Sequence, residues 1–419
     1  MTGDQALWLE NEWVRVRLDR TSGAIAGLTS RSTGWDVLGR PELGTGFRLL
    51  LPLQDRRNNV AASGDQEPPR LRRAADHTSV TLTWRRLRSR HGGQHDIVVT
   101  QTVRLSGPQV IFEMSVDNRS DLPVENAWTP CLRGIRAPDG QEKLASFFPD
   151  YGGAKQYPVL PTFTFNTGYY GVDVPTHLGS GPYPAVGAGI VPISPFMLLL
   201  SESEGLYVGV AARSFDVVAW ALELAPGYED SLDRRAPAAG AIGGHDVALT
   251  LSAAHAPFIL PGEKRDLTPI AIQPFAGDWH AGADIYRRAR DAWFVAAQPP
   301  RWAAEPGSWL QLHVNSPEDE LRAAYRDLPQ VGRQCADAGI GAIQLVGWNE
   351  GGQDQGNPSH RPDPRLGTED ELRSAIRTIQ IEAGGRKANR RYRLVDGDGW
   401  LDAGNGITLP ARSAAVVLG

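Results

Sequence analysis

The stretch Ala342-Ile343-Gln344-Leu345-Val346-Gly347-Trp348-Asn349-Glu350-Gly351-Gly352-Gln353-Asp354-Gln355-Gly356-Asn357-Pro358-Ser359-His360-Arg361-Pro362-Asp363-Pro364-Arg365 decides how the chain is read. Its first five residues form a short apolar run, which reads as a buried strand. The remainder is a loop punctuated by glycine and proline, and it gathers Trp, Asn, Glu, two Asp, His and Arg. Polar groups clustered just past the end of a parallel strand are where α/β enzymes hold their sites. This loop is therefore the candidate site.

Working outward, Trp309-Leu310-Gln311-Leu312-His313-Val314 reads as a second strand. Ser316-Pro317-Glu318-Asp319 then supplies an N-cap, a proline at N1 and acids in the first turn, so a helix is expected to start there with Leu321, Tyr325 and Leu328 on one face. Pro329 should break or kink it, and Gly339 is placed to end its continuation. Beyond the loop, Thr368-Glu369-Asp370-Glu371 is a capping box before Leu372, Ile376 and Ile379. Residues 308 to 380 thus read as two βα units, the way a (β/α) barrel begins. A complete barrel takes at least ~200 residues, which this stretch cannot supply.

Residues 1 to 275 have a different period. Trp13–Leu18 alternates apolar and basic residues before the turn Asp19-Arg20-Thr21-Ser22-Gly23. Strand patterns recur at Val80–Trp84, Ile97–Val103, Val110–Val116, Met197–Leu200, Leu206–Val210 and Val247–Leu251 with no helix between them. This predicts one large antiparallel β-sandwich. The segment Phe147–Pro195 is rich in Tyr, Phe, Pro and Gly and reads either as a functional loop or as a loop stapled to its own sandwich. Gly187-Ala188-Gly189 is no dinucleotide fingerprint, since Pro192 takes the third glycine position. Ile285, Ala289 and Trp293 predict a helix over Gly282–Phe294, with Asp278 as its cap and Gln298-Pro299-Pro300 as the boundary after it.

Composition narrows the function classes. A formal net charge of -5 gives no electrostatic reason to expect nucleic acid or an anionic membrane surface. No apolar stretch approaches a membrane span and the N-terminus lacks a leader pattern, so the expectation is a cytoplasmic protein. Two distant cysteines, Cys131 and Cys335, exclude a disulfide framework and a CxxC metal site. The 12 tryptophans suit a loop-rich β domain that offers aromatic faces to sugars, although most tryptophans in any fold are core. GxSxG, P-loop and HExxH patterns are absent, and the loop lacks the spaced acids of a calcium loop, so neither cofactor nor metal is expected.

Taken together, Asp278-Trp279-His280-Ala281, Gly307–His313, Ser316–Leu321, Gly347–Leu366 and the closing Leu409–Val417 resemble bacterial glycoside-hydrolase-like proteins. The resemblance implies a multidomain α+β chain: a β-supersandwich (1–275), a linker helix (276–300), a partial (β/α) barrel (301–380) and a remnant of a C-terminal β-sandwich (381–419). It also implies a saccharide or glycoside as partner. The family's two catalytic carboxylates lie on later barrel strands, for which this chain has no counterpart, as if most of the barrel were deleted. Hydrolysis needs two carboxyl groups about 5 to 10 Å apart, and Glu350, Asp354 and Asp363 are the local candidates. The family architecture implies instead that Trp348 stacks on a ring face and that Asn349, Asp354 and His360 hydrogen-bond sugar hydroxyls, a binding role preferred here to direct catalysis; Asn357, Arg365 and His313 are further substrate-binding candidates. Asp354, Asn357 and Asp363 could instead organise turns, and His313 could be packed against neighbours. A non-catalytic sugar-binding or structural remnant is the alternative function. Two parallel strands with open edges also predict docking on the sandwich or association of copies.

Overall fold

The computed structural model describes residues 6–56, 59–140, 143–150, 153–159, 177–180, 194–225, 248–296, 298, 308–353, 355, 360–384, 391–393 and 400–402. The chain forms two compact units, Met1–Phe294 and Val295–Gly419. It is a multidomain, β-rich α+β fold.

In the larger unit, β1 (Ala6–Glu10), β2 (Val14–Asp19) and β3 (Ile25–Ser30) make a three-stranded antiparallel sheet. They are followed by β4 (Arg48–Leu50), β5 (Val60–Ala62), β6 (Arg70–Arg73), β7 (Ser79–Ser89), β8 (Gly93–Ser106), β9 (Gln109–Asn118) and β10 (Asn126–Ile135). Next come β11 (Ala145–Asp150), β12 (Gly153–Pro158), β13 (His177–Ser180), β14 (Phe196–Leu200), β15 (Glu204–Val210) and β16 (Val218–Ala225). The last are β17 (Ala248–His255), β18 (Lys264–Asp266) and β19 (Ile270–Ala276). A six-stranded sheet runs β13-β16-β17-β10-β4-β5, and a ten-stranded sheet runs β12-β11-β14-β15-β19-β9-β8-β7-β6 with β18 beside β9. All the pairings in these two sheets are antiparallel.

The period-two pattern of β8, which buries His95, Ile97, Val99, Gln101 and Val103, puts one face inward. That face meets Leu49, Leu132, Trp220, Leu249 and Leu251 of the six-stranded sheet in one continuous core. Sequence patterning missed β10 because Pro130 interrupts it; the pairing with β17 absorbs the proline through a register shift between Trp128 and Cys131. Of the aromatic segment, 160–176 and 181–193 lie outside the described residues, including Phe163, Phe165, Tyr169, Tyr170 and Tyr183.

Helix α1 (Trp279–Asp291) starts three residues before its predicted place, where Asp278 Oδ1 accepts the His280 N–H at 3.0 Å. It belongs to the larger unit: Ile285 packs with Phe196, Leu198, Tyr207 and Phe275 on the outer face of the ten-stranded sheet. A Cβ on Gly282 would come within 2.6 Å of Leu198, so glycine sets how closely the helix lies.

The smaller unit contains β20 (Ser308–His313), α2 (Leu328–Asp337), β21 (Ile340–Val346), α3 (Glu369–Gly384) and the antiparallel pair β22 (Arg391–Arg393) and β23 (Trp400–Asp402). β20 and β21 are parallel, from Trp309 opposite Ala342 to His313 opposite Val346. The helix expected from Ser316 does not form there. Ser316 Oγ accepts from the Glu318 and Glu320 N–H groups at 3.2 Å each, closing a turn in which Asp319 takes φ 65°. The helix begins instead at Leu328, with Pro329 in its first turn, where the missing N–H costs no internal bond. Thr368 and Glu371 cap α3 reciprocally, at 2.6 and 3.1 Å, as its sequence requires.

Replacing Leu251, buried between the two large sheets, by alanine should cost about 2–5 kcal/mol of stability. Urea unfolding followed by tryptophan fluorescence measures it.

Candidate functional site

β20 and β21 end side by side, and Val314 N–H still donates to Val346 O at 3.0 Å past the end of β20. Gly347 then turns the chain with φ 70°, and a Cβ there would lie 2.0 Å from Asn315 O. Only glycine fits this crossing, so the loop leaves the strand in one direction. It returns on itself: Glu350 N–H donates to Arg361 O (2.8 Å), Asp363 N–H donates to Trp348 O (3.0 Å), and Asn349 bridges Pro362.

The return is locked by Arg365. Its guanidinium makes two parallel bonds to Asp319, Nη1 to Oδ2 at 2.9 Å and Nη2 to Oδ1 at 2.8 Å. On its other side Nε and Nη2 reach Asp363 at 3.0 and 2.7 Å. Asp363 Oδ1 also accepts the Arg365 N–H at 2.9 Å, and Asn315 Nδ2 donates to Asp319 Oδ1 at 2.9 Å. Bidentate arginine–carboxylate geometry carries both strength and direction. The Arg365 bond holds both Asp319 and Asp363 below the usual carboxylate range.

Asp363 is 1% exposed, and both of its oxygens are engaged. Its geometry is that of a clamp. Asn349, also buried, donates from Nδ2 to Gln355 O at 2.7 Å and so pins the loop tip. Trp348 is half-buried against the cluster of Val314, Tyr325, Leu328 and Ile343. Its carbonyl accepts the Tyr325 hydroxyl at 2.5 Å, and burial pushes that phenol up to about 12. Glu350 is exposed, and His360 is half-exposed with φ 44°. Asp354 and Asn357 lie outside the described residues.

His313 is half-buried at the end of β20. Leu310 and Leu312 pack toward the helices, so the alternation of the strand turns Trp309, Gln311 and His313 to the opposite face. Gln311 meets Gln344 of β21 there at 3.4 Å, and Trp309 is 48% exposed. Within the loop the structure brings Trp348, Asn349, Glu350, Asp363 and Arg365 together. Sequence reading missed Asn315, Asp319 and Tyr325: Asn315 precedes and Asp319 ends a stretch that mimics a helix start, and Tyr325 was counted in a core stripe. Among the described residues no group of three His, Cys, Asp or Glu side chains could hold a metal ion, and no helix is long and apolar enough to cross a membrane.

Arg365→Ala strands the buried Asp363 carboxylate and should cost about 1–3 kcal/mol, read by thermal unfolding. Because the folded-state pKa of Asp363 is depressed, its contribution is complete above about pH 4 and is lost as pH falls through the folded value. Asp363→Asn should therefore flatten the acid limb of a melting-temperature profile between about pH 2 and 5.

No protein-family model and no curated protein sequence matches the chain. Among solved structures it is similar to the alpha-N-acetylgalactosaminidase NagBb from Bifidobacterium bifidum, with a TM-score of 0.57 at 14% identity. That likeness covers 90% of this chain and 57% of the enzyme, so the chain spans less than two thirds of its relative. Similarity to a GH36 alpha-galactosidase, AgaA from Geobacillus stearothermophilus, covers 90% of this chain and 55% of that one (9% identity, TM-score 0.44). A galactose mutarotase related enzyme from Lactobacillus acidophilus is matched over 65% of this chain and 98% of its own length (9% identity, TM-score 0.39). The likeness to NagBb is one of fold.

Proposed function

We propose that the chain is a carbohydrate-active protein of glycoside-hydrolase ancestry that holds a saccharide at the 347–365 loop. The observation that carries this reading is the prebuilt loop itself: a polar hairpin at the C-terminal ends of two parallel strands, locked by Arg365 between Asp319 and Asp363. Rigid presentation of this kind lowers the ordering cost of binding. Trp348 lends one aromatic side, and Glu350 and His360 offer polar atoms at the accessible rim. The fold shared with NagBb, solved as a GalNAc complex, points to an N-acetylhexosamine or galactose among the first sugars to try. In this reading residues 301–380 are a barrel fragment and 381–419 a remnant of a terminal sandwich.

Recognition without turnover is the favoured form. A glycosidase needs one carboxyl group free to be protonated and a second free to attack or to activate water. Asp363 has neither freedom, since both oxygens are held by Arg365. Among the described residues of the loop, Glu350 has no second, unheld carboxylate to act with. Among the described residues no further strand pairs with β20 or β21, which favours self-association.

Calorimetry with galactose and N-acetylgalactosamine, alongside turnover of their aryl α-glycosides, tests this. Saturable binding without turnover, weakened about tenfold or more by His360→Ala and by Trp348→Ala, is the expected result. Turnover that disappears in Asp354→Ala would restore the hydrolase reading, and absence of both binding and turnover would retire the sugar assignment.

A further inference from the structure

The larger unit carries a hollow of about 340 Å³ between the segment 215–217, the turn after β17 and the strand β18. This is within the size range of small-molecule sites, about 300–1,000 Å³. Its lining belongs to the unit Met1–Phe294, and the 347–365 loop belongs to the other unit.

Two aromatic side chains on its lining are turned to water: Phe215 is 99% and Phe258 58% exposed. Exposing one large apolar side chain is ordinary, but the second is held out at a conformational cost. Phe258 has φ 46°, a region that bulky residues rarely occupy, and such strain persists where surrounding structure imposes it. The next residue fixes the chain, with Ile259 buried and exchanging two bonds with Val124 at 2.9 Å each.

The polar groups are also positioned. The Thr268 hydroxyl lies 2.8 Å from Asp216 Oδ2 and 2.9 Å from Ser214 Oγ, and Ser214 Oγ accepts the Asp216 N–H at 3.0 Å. Asp216 is thus oriented through one oxygen while the other has no hydrogen bond among the described residues. Arg265 Nη1 donates to Pro257 O at 2.8 Å, which ties the guanidinium to the turn that bears Phe258. At the lining, His255 is 3% exposed and donates from Nε2 to Thr129 O at 3.2 Å. Its other ring nitrogen is an acceptor with no described partner.

The hollow therefore offers aromatic faces together with acceptors (Asp216, Asp266) and a donor (Arg265). A simple anion would meet two carboxylates, and a purely apolar molecule would leave the polar groups without partners. A sugar ring matches: its C–H face packs on an aromatic face, and its hydroxyls both give and accept hydrogen bonds. We propose that this hollow is a second saccharide-binding site, independent of the 347–365 loop.

The test uses the full chain and calorimetric titration with lactose, maltose, N,N′-diacetylchitobiose and choline. At least one disaccharide should bind, and that binding should survive Trp348→Ala, which removes the loop's aromatic side. Phe215→Ala should weaken it about tenfold, as should Phe258→Ala. Phe258→Gly relieves the positive φ, so it should keep or raise the melting temperature while still losing affinity; a merely structural phenylalanine would not separate the two readouts. Binding of none of the three sugars, affinity unchanged by loss of either ring, or binding of choline alone would overturn the proposal. Failure of the loop reading would instead leave a Phe215-dependent affinity intact.

Discussion

A β-sheet has two faces, and the way each one is covered organises this chain. In the larger unit the inner faces of the six- and ten-stranded sheets share one core, and α1 covers part of the outer face of the ten-stranded sheet. Among the described residues of the smaller unit, the parallel strands β20 and β21 pack one face against α2 and α3. The opposite face carries the exposed residues Trp309, Gln311 and Gln344, and the two glutamine amides meet there at 3.4 Å. The candidate loop follows the end of β21 and is fastened internally by Arg365.

That fastening is economical in residue types. One guanidinium joins a turn after β20 to the return limb of a loop after β21, bridging residues 46 apart in sequence. Exposed ion pairs usually contribute little. The Asp319 arm is exposed on both partners and fixes direction through its bidentate geometry, while the Asp363 arm holds a buried carboxylate two residues away.

Most of the architecture was legible wherever local chemistry and tertiary structure agree. The alternation in β7 to β9, the glycine after α2 and the reciprocal cap of α3 all form where their residues place them. Reading failed where one local signal served another purpose. Ser316-Pro317-Glu318-Asp319 has the composition of a helix start, but here it makes a tight turn whose aspartate is used by Arg365. Pro130 argues against a strand, yet β10 runs through it by shifting register. Within the site, Asn349 and Asp363 could be picked out as polar residues in a loop, but nothing in the sequence separates a carboxylate spent on arginine from one left free. Asp319, the far partner, is invisible without the fold because only chain topology brings it near.

The seat of α1 has a consequence for how the chain can be divided. Phe147 stacks on Trp279 at 5.3 Å, and Phe196 stacks on Tyr286 at 5.0 Å and on Tyr207 at 5.7 Å, so a ladder of rings seals helix to sheet. A fragment cut after β19, where strand character stops, would strip this cover and present Phe147, Phe196, Tyr207 and Phe275 to solvent as one adhesive surface. The natural seam lies beyond the helix, near Phe294, and pieces made for expression or crystallisation should be trimmed there.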